Sequence, residues 1–291
     1  MNIAEWNVRH DLLGFENEIK QMLIDEDISV MFFTETDSRS IRDNFKIQNY
    51  DTFYPPKADA KDKIRIVCIA RKDPAIQFKM RSDLMSSRFA SIWIECKTAI
   101  NKKILIGGCY REWTYGGDDS INGQKERLNI FIEQINKACD ENDKVLILGD
   151  MNLCTKKWDD NNFRYKSLSV PLRSTLTANN LNIADLELTW FADHAGPDGE
   201  FASSALDHIY FSNTCNVKTN TLPKAGTDHL PIIARLELGR MRKMNIRHVT
   251  KRSFKNFNLE RFKSDLANCN WEALIECTNV DDAAAMYDIF L

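Results

Sequence analysis

The sequence predicts an α/β fold of two mostly antiparallel sheets packed face to face, with helices outside them. Two observations carry this. Apolar strand-like runs outnumber helical ones along the 291 residues. Several of these runs follow one another with no helix between, which argues against a doubly wound sheet, where strands and helices alternate. Polar residues able to ligate or catalyse also recur at the boundaries of the runs.

The elements follow in order. An N-terminal strand ends at Trp6-Asn7. Phe15, Ile19, Met22 and Leu23 fall at i, i+4, i+7 and i+8, one face of an amphipathic helix. Residues 29–34 form a strand ending beside Glu35, so the chain opens β-α-β. Residues 64–70, 89–96 and 103–109 read as further strands; in the second, Ile92, Ile94 and Cys96 alternate with Ser91, Trp93 and Glu95. Leu128, Phe131, Ile132 and Ile135 predict a helix within 124–140. The run Val145-Leu146-Ile147-Leu148 predicts a buried strand over 144–149. Residues 169–180 read as a helix stopped by Asn179-Asn180, and strands at 207–211 and 231–238 close the body. Residues 112–123 and 192–204 are polar, glycine-bearing loops of the kind that carry recognition on a rigid scaffold.

After Leu238 the character changes, so the chain divides into a body, 1–238, and a linker-like segment, 239–291. Between Gly239 and Lys263 nine basic residues face one acid, Glu260, with Phe254, Phe257 and Phe262 interleaved. Asn258 is placed to cap a helix over 259–268, and Asn279 another over 280–290. The sequence stops in mid-pattern at Phe290-Leu291, so the expectation is a cut within a longer protein or a helix that docks elsewhere.

Composition excludes several classes. A hydrophobic fraction of 43% and a charged fraction of 28% are ordinary for a soluble globular chain. The net charge of −3 gives no general basic field toward nucleic acid. Eight cysteines without paired spacing predict a reducing, intracellular setting, nuclear or cytoplasmic, with no disulfide framework. No run approaches the ~20 apolar residues of a membrane span, and no signal peptide is visible.

The most informative stretch is Leu148-Gly149-Asp150-Met151-Asn152-Leu153. In extended chain, residues i and i+2 share a face, so Asp150 and Asn152 aim a carboxylate and an amide at one spot. Asn7, Glu35, Tyr110, Asp207 and the pair Asp228-His229 stand at the boundaries of other strands. Singly, Asn7 and Glu35 are as well explained by a turn and Tyr110 by a half-buried aromatic, while Asp228-His229, followed by Leu230-Pro231, is the stronger signal. In order they read Asn, Glu, Tyr, Asp-x-Asn, Asp, Asp-His, and this series resembles the endonuclease/exonuclease/phosphatase superfamily, which includes the apurinic endonucleases. The resemblance covers roughly residues 1–238. It implies a four-layer α/β sandwich with its site at one end of the strands, finished here by a short helical C-terminal linker.

The resemblance also implies roles. Glu35 is the main ligand of Mg²⁺, with Mn²⁺ as a substitute, assisted by Asn7 and Asp228. Asp150 aligns or deprotonates the attacking water, Asn152 and Asn7 orient the phosphate, and Tyr110 hydrogen-bonds the phosphate or leaving group. His229, held by Asp207, donates to a phosphoryl oxygen, while His208 faces away from Asp207 and reads as structural. Arg111, Arg240, Lys243, Lys251 and Arg252 are the expected DNA contacts.

Superfamily members often carry a second acid shortly after the first Asn; here that stretch is Val8-Arg9-His10. Asn7-Val8-Arg9, Tyr110-Arg111 and Asp207-His208-Ile209 look most like the endonuclease domains of non-LTR retrotransposons, although Glu112-Trp113 stands where those commonly have prolines. The expectation is therefore a Mg²⁺-dependent endonuclease that nicks target DNA and leaves a 3′-hydroxyl primer for a downstream reverse transcriptase domain of the same polyprotein. The alternatives are a cellular abasic-site repair endonuclease, a superfamily phosphatase, and a catalytically silent DNA-binding module.

Overall fold

The computed structural model describes residues 1–36, 45–55, 64–99, 102–114, 117–196, 199–237 and 258–268, with a few isolated positions beyond. The chain divides into two compact units, Met1–Met241 and Arg242–Leu291.

In the first unit, one six-stranded sheet holds β1 (Asn2–Asn7), β2 (Ile28–Thr34), β3 (Tyr50–Phe53), β4 (Ile66–Arg71), β13 (Val217–Thr221) and β14 (Ile232–Leu236). Its spatial order is β13-β14-β1-β2-β4-β3. The other holds β5 (Ile76–Met80), β6 (Ala90–Thr98), β7 (Lys103–Tyr110), β8 (Val145–Asp150), β9 (Leu181–Ile183) and β12 (Asp207–Ser212), in the order β5-β6-β7-β8-β12-β9. Each sheet is antiparallel except for one central parallel pair, β1 with β2 and β7 with β8. A small ribbon, β10 (Trp190–Phe191) with β11 (Ser203–Ser204), lies between β9 and β12 in sequence.

The period-2 alternation of each strand sorts its side chains into layers. Ile3, Val30, Phe32, Ile66 and Cys68 from one sheet meet Ile92, Ile94, Ile106, Leu146, Leu148 and Ile209 from the other in the inter-sheet core. On the outer face of the first sheet, Ala4, Trp6, Met31 and Phe33 receive Ile19 and Leu23 of helix α1 (Glu16–Asp25). On the outer face of the second, Trp93, Leu105, Val145, Ile147 and Tyr210 receive Leu128, Phe131 and Ile135 of α2 (Ile121–Glu141) and Leu168, Leu172 and Leu176 of α3 (Lys166–Ala178). The result is a four-layer α/β sandwich. Among the described residues no helix is long and apolar enough to cross a membrane.

The core strands fall within a few residues of the sequence expectation. The short strands β3, β5, β9, β10, β11 and β13 were not predicted. Helix α2 begins at Ile121 with Ser120 accepting a hydrogen bond from the Gly123 amide, so it takes up the end of the expected 112–123 loop. In the second unit, α4 (Leu259–Ala267) is capped by Asn258, whose Oδ1 accepts from the Arg261 amide at 2.9 Å. The helix expected over 280–290 lies outside the described residues.

Candidate active site

Strand register builds the site. On β1, Ile3, Glu5 and Asn7 share the inter-sheet face; on β8, Leu146, Leu148 and Asp150 do; on β12, Asp207 and Ile209; on β7, Ile106 and Tyr110. Tyr110 and Asp207 are the direct register partners of Asp150, on either side of it. The parallel pairs end together at the same rim, and the antiparallel β12 starts there. Acid, phenol and amide are thus collected at one end of the inter-sheet layer.

Hydrogen bonds join the two sheets at this rim. Asn7 Nδ2 donates to Asp150 Oδ2 at 2.9 Å, and its Oδ1 accepts from the Arg9 amide at 2.9 Å. Tyr110 donates its phenol to Glu35 Oε1 at 2.7 Å. Asp150 Oδ1 accepts from the Asn152 amide at 2.8 Å, while Asn152 Nδ2 reaches the Arg111 carbonyl at 3.0 Å. Asn152 holds φ at 50° and Glu35 at 52°, the left-handed region that turns the chain sharply off each strand end. His229 Nδ1 lies 2.9 and 3.1 Å from the two Asp207 oxygens.

The turn that presents His229 is fixed from several sides. Thr227 Oγ1 accepts from Trp6 Nε1 at 3.0 Å and lies 3.1 Å from the carbonyls of Asn7 and His229. The chain at Thr189–Phe191 bonds both flanks, Phe191 N to Asp228 O and Leu230 N to Thr189 O. Asp228 Oδ2 accepts from Trp190 Nε1 at 3.0 Å and lies 3.7 Å from the Arg9 guanidinium, which also pairs with Asp193.

Crowding of charge in a dry site shifts the acids and the imidazole. Burial, then the neighbouring Asp207 charge, pushes Asp150 up to about 7, against the pull of His229. Burial lowers His229, but the charge and hydrogen bond of Asp207 outweigh it and raise the imidazolium to about 10. His208, on the opposite face of β12, is buried between the Tyr210 hydroxyl at 2.5 Å and the Leu153 carbonyl at 2.7 Å, and burial drives it down to about 4.

Two residues depart from expectation. Arg111 is not a surface cation. It is fully buried, with Nε on the Met151 carbonyl at 2.5 Å, Nη1 on Gln124 Oε1 at 2.8 Å and Nη2 on the Asn152 carbonyl at 2.8 Å. Its guanidinium braces the turn that carries Asp150 and Asn152 against Gln124 of α2, and its burial withdraws it from any DNA surface. Glu5 was overlooked. It is fully buried two residues before Asn7 on the same face, accepts from Thr34 Oγ1 at 2.8 Å, and is pushed well above the usual carboxylate range by burial and then by Asp207. A charged residue inside Ile3-Ala4-Glu5-Trp6-Asn7 was the available signal. The other expected DNA contacts, Arg240, Lys243, Lys251 and Arg252, lie outside the described residues.

Asp150, Asp207 and His229 bring one donor atom each within 4.8 Å of one another, a grouping that could hold a cation. The hydrogen bonds argue otherwise for the imidazole: an Nδ1 facing two carboxylate oxygens carries a proton. The oxygen donors better suited to a hard divalent ion are Glu35, the amide oxygen of Asn7 and Asp228, whose buried Oδ1 has no hydrogen-bond partner among the described residues. The donor set therefore fits such an ion.

Comparison with known proteins agrees with the geometry. Residues 109–233 match the family described as endonuclease-reverse transcriptase. No curated protein matches the chain. Among solved structures, the endonuclease domain of TRAS1, a telomere-specific non-LTR retrotransposon, is similar at a TM-score of 0.59 and 14% identity, over 82% of this chain and 99% of that one. The Xenopus laevis APE2 catalytic domain is similar at 0.58 and 12%, over 81% and 91%. The 3′-5′ exonuclease NExo from Neisseria meningitidis is similar at 0.57 and 14%, over 81% and 99%. Together with the four-layer sandwich, these likenesses show that the chain has the fold shared by these nuclease domains.

Proposed function

We propose that the chain is a Mg²⁺-dependent DNA endonuclease of a non-LTR retrotransposon, which nicks target DNA and leaves a 3′-hydroxyl from which a downstream reverse transcriptase domain extends. The observation that carries this reading is the convergence of Asn7, Glu35, Tyr110, Asp150, Asn152, Asp207 and His229 on one rim. Each group answers one requirement of phosphodiester hydrolysis. Asp150 accepts a proton from the attacking water while Asn7 fixes its carboxylate. His229, charged and braced by Asp207, donates to a non-bridging phosphoryl oxygen where negative charge grows. Asn152 orients the phosphate, and Tyr110 hydrogen-bonds the phosphate or the departing oxygen. The P–O3′ bond breaks, the oxygen of water joins phosphorus, and O3′ leaves as an alkoxide that takes its proton from solvent to give the 3′-hydroxyl. Glu35, with Asn7 and Asp228, would hold a divalent ion, whose charge stabilises the phosphoryl and leaving oxygens.

The basic segment after Leu238 is read as the start of the connection toward the reverse transcriptase, and as a contact to DNA phosphates. The test is nicking of supercoiled plasmid with Mg²⁺, followed by extension of the nicked ends with a DNA polymerase. Relaxed circles that prime synthesis directly are expected. Phosphate release without nicking would instead identify a phosphatase, and cutting confined to abasic sites a repair enzyme.

A further inference from the structure

We propose that Trp113 is a stacking platform for an unpaired nucleobase beside the phosphate that is cut, so that the preferred substrate is DNA with a nucleotide drawn out of the helix. The proposal rests on the endonuclease reading above and names its substrate class.

Trp113 is 40% exposed, unusual for so large an aromatic residue in this chain. It is nonetheless firmly held. Its Nε1 donates to Asn152 Oδ1 at 2.8 Å, and its carbonyl accepts from Arg127 Nη2 at 3.1 Å. The guanidinium of the buried Arg111 lies over its ring, 5.5 Å from the centroid. Tyr165 meets it edge to face at 4.9 Å, and Tyr165 in turn carries Arg164 over its own ring at 5.3 Å. An exposed indole held by three neighbours, on a backbone held by a fourth, is preorganised, so a planar partner finds it with little loss of side-chain freedom.

The hydrogen bond to Asn152 sets what that partner is. Asn152 is the amide read as orienting the phosphate, and it is joined directly to Asp150. A ring one side chain away from that amide is within reach of a base on the same or the adjacent nucleotide. In a paired duplex the faces of each base are covered by its neighbours, and only a displaced base offers one. Base-on-aromatic stacking is tolerant of sequence and weakens by roughly five- to a hundredfold when the aromatic is cut to alanine. Phenylalanine keeps a face but loses the N–H to Asn152, so the two contributions of Trp113 separate.

The experiment measures binding without cleavage. Wild type, Trp113→Ala and Trp113→Phe, each checked by circular dichroism, are titrated in chelator against one labelled sequence presented as single strand, as duplex with a single-nucleotide bulge, and as perfect duplex. On the first two DNAs, Trp113→Ala is expected to bind about tenfold or more weakly, Trp113→Phe within about twofold of wild type, with little change on perfect duplex. Equal affinities of wild type and Trp113→Ala on single-stranded and bulged DNA would overturn the platform, as would the same loss on all three DNAs or no DNA binding at all by wild type. Plasmid nicking with Mg²⁺, run in parallel, separates the two readings. Nicking with unchanged affinities removes the platform and keeps the endonuclease; Trp113-dependent binding by a protein that never nicks does the reverse.

Discussion

Glu35 and Asp150 come to the rim from opposite sheets, and each should be indispensable alone. Glu35→Ala and Asp150→Ala are expected to abolish Mg²⁺-dependent nicking with unchanged circular dichroism; Asp150→Ala should hold or gain stability, because a buried carboxylate crowded by Asp207 is lost. Undiminished nicking by either folded variant would refute its role. Asp207 and His229, joined at 2.9 Å, should behave as one unit. The double alanine variant should be scarcely slower than His229→Ala, whereas rate losses that multiply would show two independent groups. The residues at strand ends were legible in the sequence because a polar side chain after an apolar run stands out. Arg111 and Glu5 were not, since burial depends on what the fold brings over them: Arg111 is covered by Gln124 of α2 and by the Met151-Asn152 turn, neither of which its own neighbourhood announces.

At the scale of elements, β7 and β8 lie so close that glycine is obligatory at one point. A Cβ on Gly149 would stand 1.9 Å from the Cys109 carbonyl oxygen, a backbone atom that cannot swing aside. Gly149→Ala should therefore cost more than the ~1–3 kcal/mol typical of overpacking, read as a lowered urea midpoint or as insoluble expression; wild-type stability would mean the strands can part. The central strands were readable because both their faces are buried and their sequences run apolar throughout, as in Val145-Leu146-Ile147-Leu148. The edge strands were not. In β13, Val217-Lys218-Thr219-Asn220-Thr221 alternates half-buried and exposed positions with polar side chains on both, so its pairing with β14 leaves little mark on hydropathy. Strand β5 had a clearer sign, Ile76, Phe78 and Met80 alternating with Gln77 and Lys79.

For the molecule as a whole, pH and salt give two checks. His208 titrates at about 4 in the folded state against about 6.5 when unfolded. Its contribution is thus present above about pH 6.5 and lost as pH falls through 4, at roughly 1.4 kcal/mol per pKa unit. The wild-type urea midpoint should fall more steeply over that window than that of His208→Gln; parallel curves would show that His208 is not held neutral. Truncation after Leu238 keeps β14 and removes the basic segment. DNA binding should weaken and the slope of log K against log salt should flatten by roughly two to four units, at ~0.9 per phosphate, with the cut sites unchanged; an unaltered slope would make the segment a connector only. The pairing of β1 with β14 bears on biosynthesis. The first strand of the sheet finds one of its two neighbours only in the last, and the Trp6–Thr227 bond spans 221 residues. A nascent chain must therefore carry β1 and β2 unsealed on one side until Leu236 has cleared the ribosome, a long-range closure of the kind that folds slowly. Asn7 and His229 come together only at that moment, so the rim that carries the candidate site is assembled last.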